Sequence, residues 1–567
     1  MKKISIAIVL LIGAVSMRLG WSAYQTNAAP QPPLSSYVPS GALLYLQAKD
    51  FSALLADWNG SPQKQAWLSS SNYEVFSRSR LLLRLKDAGK QFTAAAGLPP
   101  DMNFMSQVAG SESALALYDI GKLQFVYITR LPSANAMQNQ LWQSRAAFET
   151  RNAGGVAFYL RRDPESQREV EFAVSGNYLL LTTREDLMAG TLQLIAGAKN
   201  QTIEAEPWFA RSVAAAGPVG DLRMVLNLEK IVPSPYFRSY WVQQNITSMK
   251  SYAAAVSDLF RSGNEYREER VLVKKVADPA DDQGVAVSDL ARLVPEGVGI
   301  YEAQPCPSVD SCLAVLQTKI LAPRSEPVPA GQLAPEAPQT SGETGSSSDL
   351  ETRIDQAPSQ SISDSDGTDA LKNLLRHAQV NKVLQIQSTE RDSAGVFVKI
   401  HSAVALAGSA DWDEVAARAA LASFIRPSLT ASQLGVAWKQ VGGYYELDGL
   451  HPLLCAVRGK YLMVSDDPAL ITGMLANANR KSDLPSAVFI AEFNHKRERN
   501  NFARLTAVVD RPDMNPSEGV VGERQPQFFS ENIASLSATL ATVSSEKIVV
   551  RDAGDKVLQT VTYQWSQ

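Results

Sequence analysis

The four histidines are the residues of this chain best suited to act as catalytic bases, because an imidazole can activate a serine or cysteine nucleophile near neutral pH. They are His377, His401, His451 and His495. A serine nucleophile would commonly sit on the strained turn of a GxSxG segment, and the chain contains no such segment. We therefore predict each histidine to be a surface or core residue, and we assign no catalytic residues.

Motifs that hold metals or nucleotides are absent from the sequence as well. There is no HExxH pair for zinc, no EF-hand loop for calcium, and neither a Walker A nor a GxGxxG segment for phosphates. We assign no metal-binding or cofactor-binding residues and predict that the protein uses no cofactor. An exported hydrolase without a recognisable motif stays open as an alternative, since the paired carboxylates of glycoside hydrolysis are defined by spatial separation.

The three cysteines permit one short disulfide bridge. Cys306 and Cys312 flank a five-residue loop, and they can pair in an oxidising compartment if their Cα atoms lie within about 7 Å. Cys455 would then remain unpaired. Neither spacing matches a zinc knuckle, so the sequence leaves two alternatives, a bridge or inert thiols.

The charge balance of the chain argues against nucleic acid as a partner. Lys and Arg number 54 and Asp and Glu 58, which gives a net charge of -4 and a pI near 5.8. Such a chain has no long-range positive field to attract polyanions. The basic run at 495–499 is short, and we interpret it as the solvated face of a helix.

Residues 1–30 have the features of an export signal. Two lysines precede an apolar run at 4–15, and small residues before Pro30 can provide a cleavage site. Arg18 interrupts the apolar run before the about 20 residues that a bilayer span needs. We predict export to the periplasm or another extracytoplasmic space, with this segment either cleaved or retained as an N-terminal membrane anchor.

The chain contains an internal repeat. Segment 174–190 aligns without gaps on 457–473, and six of the aligned pairs are identical, where average composition gives on the order of one. A second block, 37–45, aligns on 293–301 with Val, Pro, Gly and the final Tyr in register. None of the matched residues is His, Cys, Asp or Glu, so the repeat preserves a shape rather than a catalytic centre. The identical pairs of the first block are Val174/Val457, Gly176/Gly459, Tyr178/Tyr461, Leu179/Leu462, Leu187/Leu470 and Gly190/Gly473.

Two tandem units are therefore predicted after the export segment, the first at 31–284 and the second at 285–567. The second unit contains a Pro/Ser-rich insertion at 323–368. This insertion carries eight acidic residues against two basic ones and no aromatic residue, a composition that cannot bury enough apolar surface to fold. We predict it to be disordered.

Each unit is predicted to contain a two-stranded hairpin followed by a helix. In the first unit, 171–174 and Tyr178–Thr182 have the pattern of paired strands with Gly176 at the turn. The N-cap of the following helix is predicted at Thr183, and at Asp466, just before Pro468, in the second unit.

Further elements follow from periodicity and fix the predicted fold class. The class is α+β, with two tandem copies of an antiparallel sheet that has helices packed on one face. The predicted strands are 222–228, 267–276, 488–493 and Lys556–Trp565, and the predicted helices are 72–96, with the stripe Leu81, Leu85, Ala88, Phe92 and Ala95, and a segment after Pro235 with the stripe Val242, Ile246, Met249, Ala253, Val256 and Phe260.

Parts of the first unit resemble an uncharacterised family of bacterial exported proteins that carries a domain of unknown function. The resemblance lies in 174–186, 222–228, 235–241 and 267–271. It implies export and brings no activity or site residues with it.

The function predicted from the sequence is that of a non-enzymatic scaffold or binding module of the cell envelope. Its partner would be an unidentified envelope protein or an apolar ligand. A periplasmic carrier of a lipid or another apolar molecule is the first alternative, because paired sheets can enclose a cavity. The exported hydrolase is the second.

Overall fold

The computed structural model describes most of the chain. The predicted export segment 1–30 and the greater part of the predicted disordered insertion lie outside the described residues. The last three residues of that insertion, 366–368, are described and begin a helix. Within the described part of the chain, no helix is long and apolar enough to cross a membrane. The described residues are 31–70, 73, 77–78, 80–234, 249–277, 284–321, 366–391, 398–423, 437–447, 452–480, 486–501 and 543–565.

Helices and strands both contribute to the fold, and all strand pairings are antiparallel. The first ten strands are β1 Leu44–Ala48, β2 Ser113–Asp119, β3 Gln124–Arg130, β4 Glu149–Ala153, β5 Val156–Arg162, β6 Glu169–Ser175, β7 Tyr178–Thr182, β8 Leu222–Asn227, β9 Tyr252–Ser262 and β10 Glu265–Lys274. The others are β11 Ile300–Pro305, β12 Val380–Arg391, β13 Val398–Gly408, β14 Lys439–Val441, β15 Tyr444–Leu447, β16 Leu453–Arg458, β17 Tyr461–Ser465, β18 Phe489–Phe493, β19 Val543–Asp552 and β20 Lys556–Trp565.

These twenty strands form one continuous sheet. Pairing runs from β4 through β5, β6, β7, β3, β2, β1, β8 and β9 to β10. Strand β10 pairs with β20, and pairing continues through β19, β18, β11, β12, β13, β17, β16 and β15 to β14. The strand order of the first half is therefore the same as that of the second half, with the two halves meeting at β10 and β20.

The prediction of two separate sheets needs correction at this seam. Strands β10 and β20 pair from Glu265 with Gln564 to Val273 with Lys556. We predicted these two strands to close their own units. Without this pairing, each strand would be a sheet edge with unpaired backbone N–H and C=O groups. Pairing β10 with β20 satisfies these groups on both strands.

Ten helices of seven residues or more, besides the helical segment 495–501, accompany the described part of the sheet. They are α1 Phe51–Gly60, α2 Pro62–Leu68, α3 Arg80–Ala96, α4 Met102–Val108, α5 Glu185–Ile195, α6 Pro207–Ala215, α7 Val309–Leu316, α8 Asp366–His377, α9 Glu414–Ala422 and α10 Pro468–Asn477. A seven-residue helix at 495–501 follows β18. Shorter helical segments are Leu34–Tyr37, Ser133–Ala136, Gln140–Gln143, Arg145–Ala147, Ile203–Ala205, Leu228–Ile231, Ser288–Ala291 and Gln317–Leu321.

Helices cover both faces of the sheet, which corrects the prediction of one covered face. In β7, Leu179 and Leu181 belong to a cluster with α3 and α4, whereas Leu180 belongs to a cluster with α5 and α6. The second half repeats this division at Leu462 and Met463 of β17. A strand buried on both faces loses the alternation of polar and apolar residues, and β7 is apolar from Leu179 to Leu181 for this reason. We call the side of Leu179, Leu181 and Leu462 side A, and the side of Leu180 and Met463 side B.

The repeated hairpin has the same backbone in both halves. Strands β6 and β7 join at Gly176, with φ of 56°, and β16 and β17 join at Gly459, with φ of 54°. A side chain at this left-handed position would be strained, which favours glycine at both turns. A helix follows each hairpin, as predicted.

The helix caps differ from the prediction by one residue. Arg184 is the N-cap of α5, while the Thr183 hydroxyl accepts a hydrogen bond from the Phe125 amide at 3.0 Å. Asp467 caps α10 and accepts from the Leu470 amide at 2.9 Å. Asp466 accepts instead from the Ser402 amide of β13. Thr183 and Asp466, which the local sequence assigns to capping, form hydrogen bonds with neighbouring strands instead.

Two matched glycines allow close packing of helix against chain in both halves. A Cβ built on Gly190 of α5 would lie 3.2 Å from Pro39, and one on Gly473 of α10 would lie 2.8 Å from Pro295. The prolines belong to the second repeated block and the glycines to the first. Each matched pair thus forms the same contact in its own half.

The predicted helix after Pro235 is wrong over its C-terminal part. Residues 235–248 lie outside the described part of the chain, and 252–262 form strand β9. Its stripe residues Val256 and Phe260 are four positions apart, a spacing that fits the period of a strand as well as that of a helix. The segment forms a strand because it pairs with β8 on one side and with β10 on the other.

Strand β8 forms as predicted but buries its polar residues. Arg223 donates through Nε and Nη2 to the two carboxylate oxygens of Asp258 on β9, both at 2.8 Å, and both side chains are at most 4% exposed. The Asp258 carboxylate also accepts from the Gly220 amide. A buried charge needs such a partner, and the partner comes from a segment that we predicted to be helical.

Cys306 and Cys312 form a disulfide bridge, with their Cα atoms 5.4 Å apart. The bridge ties the end of β11 to α7, and Cys312 is fully buried. Cys455 is a buried free thiol whose pKa is raised to about 12 by burial. Of the two alternatives left by the sequence, the structure contains the bridge.

Candidate functional site

An apolar cavity of about 460 Å³ lies on side A of the first half, between the sheet and helices α3 and α4. Its volume is within the range of small-molecule binding sites, which is roughly 300–1,000 Å³. The lining is predominantly hydrophobic and aromatic. The cavity is the candidate functional site of the protein.

The floor of the cavity is formed by strands β1, β2, β3 and β7. Alternate residues of a strand face the same side, so β2 contributes Leu115 and Leu117 and β3 contributes Phe125 and Tyr127. Leu181 of β7 completes this surface. The pleat of the strands thus presents a contiguous apolar floor.

One polar group of the floor is fully occupied by internal contacts. The Tyr127 hydroxyl donates to the Val108 carbonyl at 2.8 Å, and Ser113 lies beside it at 3.4 Å. Burial raises the pKa of this phenol, so it stays neutral. A satisfied neutral hydroxyl leaves the floor suited to an apolar molecule.

The roof of the cavity is helix α3 together with residues of α1 and α4. Ala88 and Phe92 of α3 line the cavity from above, and Phe92 contacts Phe104 of α4 edge-on with ring centroids 5.9 Å apart. The sequence predicted this face as a core-packing stripe within a helix at 72–96. The helix begins at Arg80, and the side chain of Leu81 lies outside the description.

The helical roof covers the sheet incompletely. Its large hydrophobic side chains are between 38% and 51% exposed at Trp58, Leu83, Leu85 and Met102. Helix α1 has no buried residue, and Leu85 lines the cavity while remaining half-exposed. Few buried contacts hold a segment weakly, so the exposed part of this roof is weakly held.

Among the described residues of the second half, the corresponding face of the sheet is covered by packed helices. Helices α7 and α8 occupy the same place in the chain, between the first two strands of their half. They pack Leu313, Leu316, Leu371 and Leu375 onto the sheet, each at most 2% exposed. The first half thus has a cavity on side A where the second half has a packed core.

One end of the cavity is polar and basic. Lys122 lies on the turn between β2 and β3, and Arg168 lies beside the start of β6. The Arg168 guanidinium donates to the Lys122 carbonyl and, through Nε, to the Gln91 side chain of α3 at 2.9 Å. Neither Lys122 nor Arg168 was singled out by the sequence, because they are distant in the chain and match no motif. The only early signal was the α3 stripe.

The most strongly perturbed described carboxyl group lies away from the cavity. Burial raises the pKa of Glu171 to about 8, and the neighbouring charges of Glu169 and Glu185 act in the same direction. The Thr182 hydroxyl donates to it at 2.6 Å. Glu171 lies on the same side of β6 as Ala173, which belongs to the cluster on side B. Glu171 is not part of the cavity lining, although its side chain interacts with Glu169, which is.

The histidines considered as bases are dispersed in the structure. His401 lies 3.1 Å from Asp467 and 3.3 Å from Glu390, and His495 lies 3.6 Å from Glu546. His377 is an exposed residue at the end of α8, and His451 lies outside the described residues. The structure brings none of the three described histidines to the cavity.

The run at 495–499 is only partly a solvated face. Lys496 and Arg497 are exposed, as predicted, whereas Glu498 is 1% exposed. The Glu498 carboxylate accepts from the amide and the hydroxyl of Thr389 on β12. This acid therefore anchors the helix to the sheet.

Among the residues that the structure describes, no group of three or more His, Cys, Asp and Glu side chains is arranged to hold a metal ion.

Comparison with known proteins adds little to this site. No model of a protein family matches the chain, and no curated protein matches its sequence. Crystal form IV of TP0453 is similar over 43% of this chain and 80% of that chain, with 12% identity and a TM-score of 0.24. Crystal form III is similar over 48% and 90%, with 13% identity and a TM-score of 0.23. Similarity at this level carries no conclusion about fold or function.

Proposed function

We propose that this protein is an exported binding protein of the cell envelope that holds an apolar ligand in the cavity between α3, α4 and the sheet. The observation that carries the proposal is the cavity itself, about 460 Å³ in volume with a predominantly apolar lining. A folded protein normally packs its interior without such space. An apolar cavity under a loosely held roof is the feature expected of a carrier.

The contrast between the halves supports this proposal. We propose that residues 31–284 and 285–567 are two copies of one unit, since their strand order is the same and their matched glycines form the same contacts. The second half shows that side A of this unit can be filled by leucines of its own helices. The empty space in the first half is then a property of that copy, and ligand binding explains why it is kept.

The disulfide between Cys306 and Cys312 supports the proposal of export. Such bridges persist in oxidising compartments and are rare in the cytosol. The alternative of a hydrolase has less support, because the perturbed carboxyl of Glu171 lies on side B. A scaffold role remains compatible with the long sheet but makes no use of the cavity.

Filling the cavity tests the proposed function. Ala88 is half-buried against the cavity, and Ala94 of the same helix is exposed and outside its lining. We expect the purified full-length protein to bind the neutral fluorophore N-phenylnaphthylamine. The Ala88→Trp variant should bind it at least about tenfold more weakly, because the indole occupies the ligand volume. The Ala94→Trp variant should bind like the wild type.

Native mass spectrometry of the same three proteins provides the second readout. We expect a co-purifying apolar molecule with the wild type and with Ala94→Trp, and its loss with Ala88→Trp. A wild-type protein that neither carries such a molecule nor binds the fluorophore would overturn the proposed function. Equal binding by the two tryptophan variants would show that the ligand binds outside this cavity.

A further inference from the structure

We propose that the ligand is an anionic amphiphile, an acyl chain that ends in a carboxylate or phosphate group held by Lys122 and Arg168. This inference rests on the proposed function and names the chemical class that the cavity selects. It depends on the location of two cationic residues, the exposed Lys122 and the half-buried Arg168, at one end of a predominantly apolar cavity whose lining also contains Glu169.

The two cations are brought together by elements that are separate in sequence. Lys122 follows β2, and Arg168 precedes β6. The Arg168 guanidinium donates to the Lys122 carbonyl, so the two residues are in contact, and Gln91 of α3 joins them through a 2.9 Å hydrogen bond to Arg168. Two β-turns and the roof helix thus form one polar end.

The side chains of Lys122 and Arg168 form no ion pair with a carboxylate in the described part of the chain. Arg168 donates to an amide oxygen and a carbonyl. Of the acids nearby, Glu169 of the lining is paired with Arg162, and Asp119 accepts a hydrogen bond from the Lys122 backbone amide at 2.8 Å. A half-buried guanidinium without a carboxylate partner is suited to bind an anion, because its planar donors match two oxygens at once.

The remainder of the cavity is suited to the chain of such a ligand. Away from the basic end the lining is formed by residues such as Leu46, Phe51, Met105 and Leu222. These side chains offer no hydrogen bond to a second head group. The head group therefore lies at Lys122 and Arg168, with the acyl chain extending under α3.

Displacement of N-phenylnaphthylamine from the full-length protein tests this inference. Palmitate and hexadecanol have the same chain length and differ in charge, and palmitoyl-lysophosphatidylglycerol carries a phosphate. We expect palmitate or the lysophospholipid to bind at least about tenfold more tightly than hexadecanol, as charge-assisted hydrogen bonds allow. This preference should decrease with added salt, because the basic end is partly exposed.

Charge variants locate the head group. In Lys122→Gln/Arg168→Gln, the preference for the anions over hexadecanol should fall to about threefold or less, with hexadecanol binding retained. Lys122→Arg should keep the preference. Arg151→Gln is the matched control, since Arg151 is an exposed arginine on the edge strand β4, and it should behave as the wild type.

Each outcome separates this inference from the proposed function. If palmitate, the lysophospholipid and hexadecanol bind equally, the cavity binds apolar chains without distinguishing their charge. The inference then fails, while the proposed function stands. If the double variant keeps the preference, the anion is held elsewhere and the inference also fails. If the fluorophore binds but none of the three ligands displaces it, the inference fails and the proposed function stands. If the fluorophore does not bind and no apolar molecule co-purifies, the proposed function fails as well. The stronger of the two anions identifies the source as a fatty acid or a phospholipid.

Discussion

Glu171 is a carboxyl group buried at a place where the second half has a leucine. The repeat aligns it with Leu454 of β16, and both side chains are 0% exposed. A buried carboxyl is more easily accommodated in its neutral form, which is why its pKa is raised to about 8. The folded protein therefore favours the protonated form of Glu171 near neutral pH.

This proton makes stability depend on pH with a definite sign. Because the folded pKa lies above the unfolded value, the stabilising contribution is complete below about pH 4.5 and is lost as the pH rises through about 8. We expect the free energy of unfolding to fall between pH 5 and pH 8 by on the order of a few kcal/mol. Chemical denaturation at several pH values measures this.

The variant Glu171→Gln should remove most of that pH dependence, because an amide stays neutral at every pH. Glu149→Gln, which changes an exposed acid of β4 whose side chain is 67% exposed, should leave the dependence in place. A Glu171→Gln protein with the wild-type pH profile would show that another group carries the effect.

At the scale of single elements, two helical glycines have opposite surroundings. A Cβ on Gly473 of α10 would lie 2.8 Å from the Cβ of Pro295, which is too close for any side chain. A Cβ on Gly89 of α3 would lie 3.7 Å from Pro100, an ordinary contact. Intrinsic helix propensity favours alanine at both places.

We expect Gly473→Ala to lower the free energy of unfolding by about 1–3 kcal/mol, because overpacking outweighs propensity. Gly89→Ala should raise it by up to about 1 kcal/mol. Urea denaturation of the two variants measures both effects. A stabilising Gly473→Ala would mean that α10 does not pack on Pro295, and the repeated contact would be absent from the second half.

At the scale of the whole molecule, the pairing of β10 with β20 makes one sheet of two halves. The seam is also packed: Leu558 of β20 contacts the side B cluster of the first half. Lys274 of β10 forms an ion pair with Asp552 of β19 at 2.8 Å. We expect the halves to behave as one folded unit.

Hydrogen exchange followed by mass spectrometry tests this seam. Amides of β20 should exchange as slowly as those of β9, and at least about tenfold more slowly than those of the edge strand β4, because edge amides open without unfolding the sheet. Exchange of β20 as fast as that of β4 would show that the halves separate in solution.

The sequence by itself determined the local structure of the two hairpins and the helices that follow them. Glycine is favoured in left-handed turns, which Gly176 and Gly459 form, and the helices that follow them begin within a residue or two of their predicted start. Backbone conformation and capping depend on neighbours in the chain, so they can be predicted from short segments. The face of α3 that lines the cavity was also predicted, through Ala88 and Phe92.

Only the tertiary structure decided how these pieces combine. The seam pairs residues almost 300 positions apart. Arg223 forms an ion pair with Asp258, which lies on a segment with helical periodicity. Lys122 and Arg168 lie in two separate turns and contact each other. Each depends on strand pairing between distant segments, and alternation along a strand does not name its partner. The cavity is likewise a result of how completely the helices cover a sheet, which depends on packing volume rather than on any residue pattern.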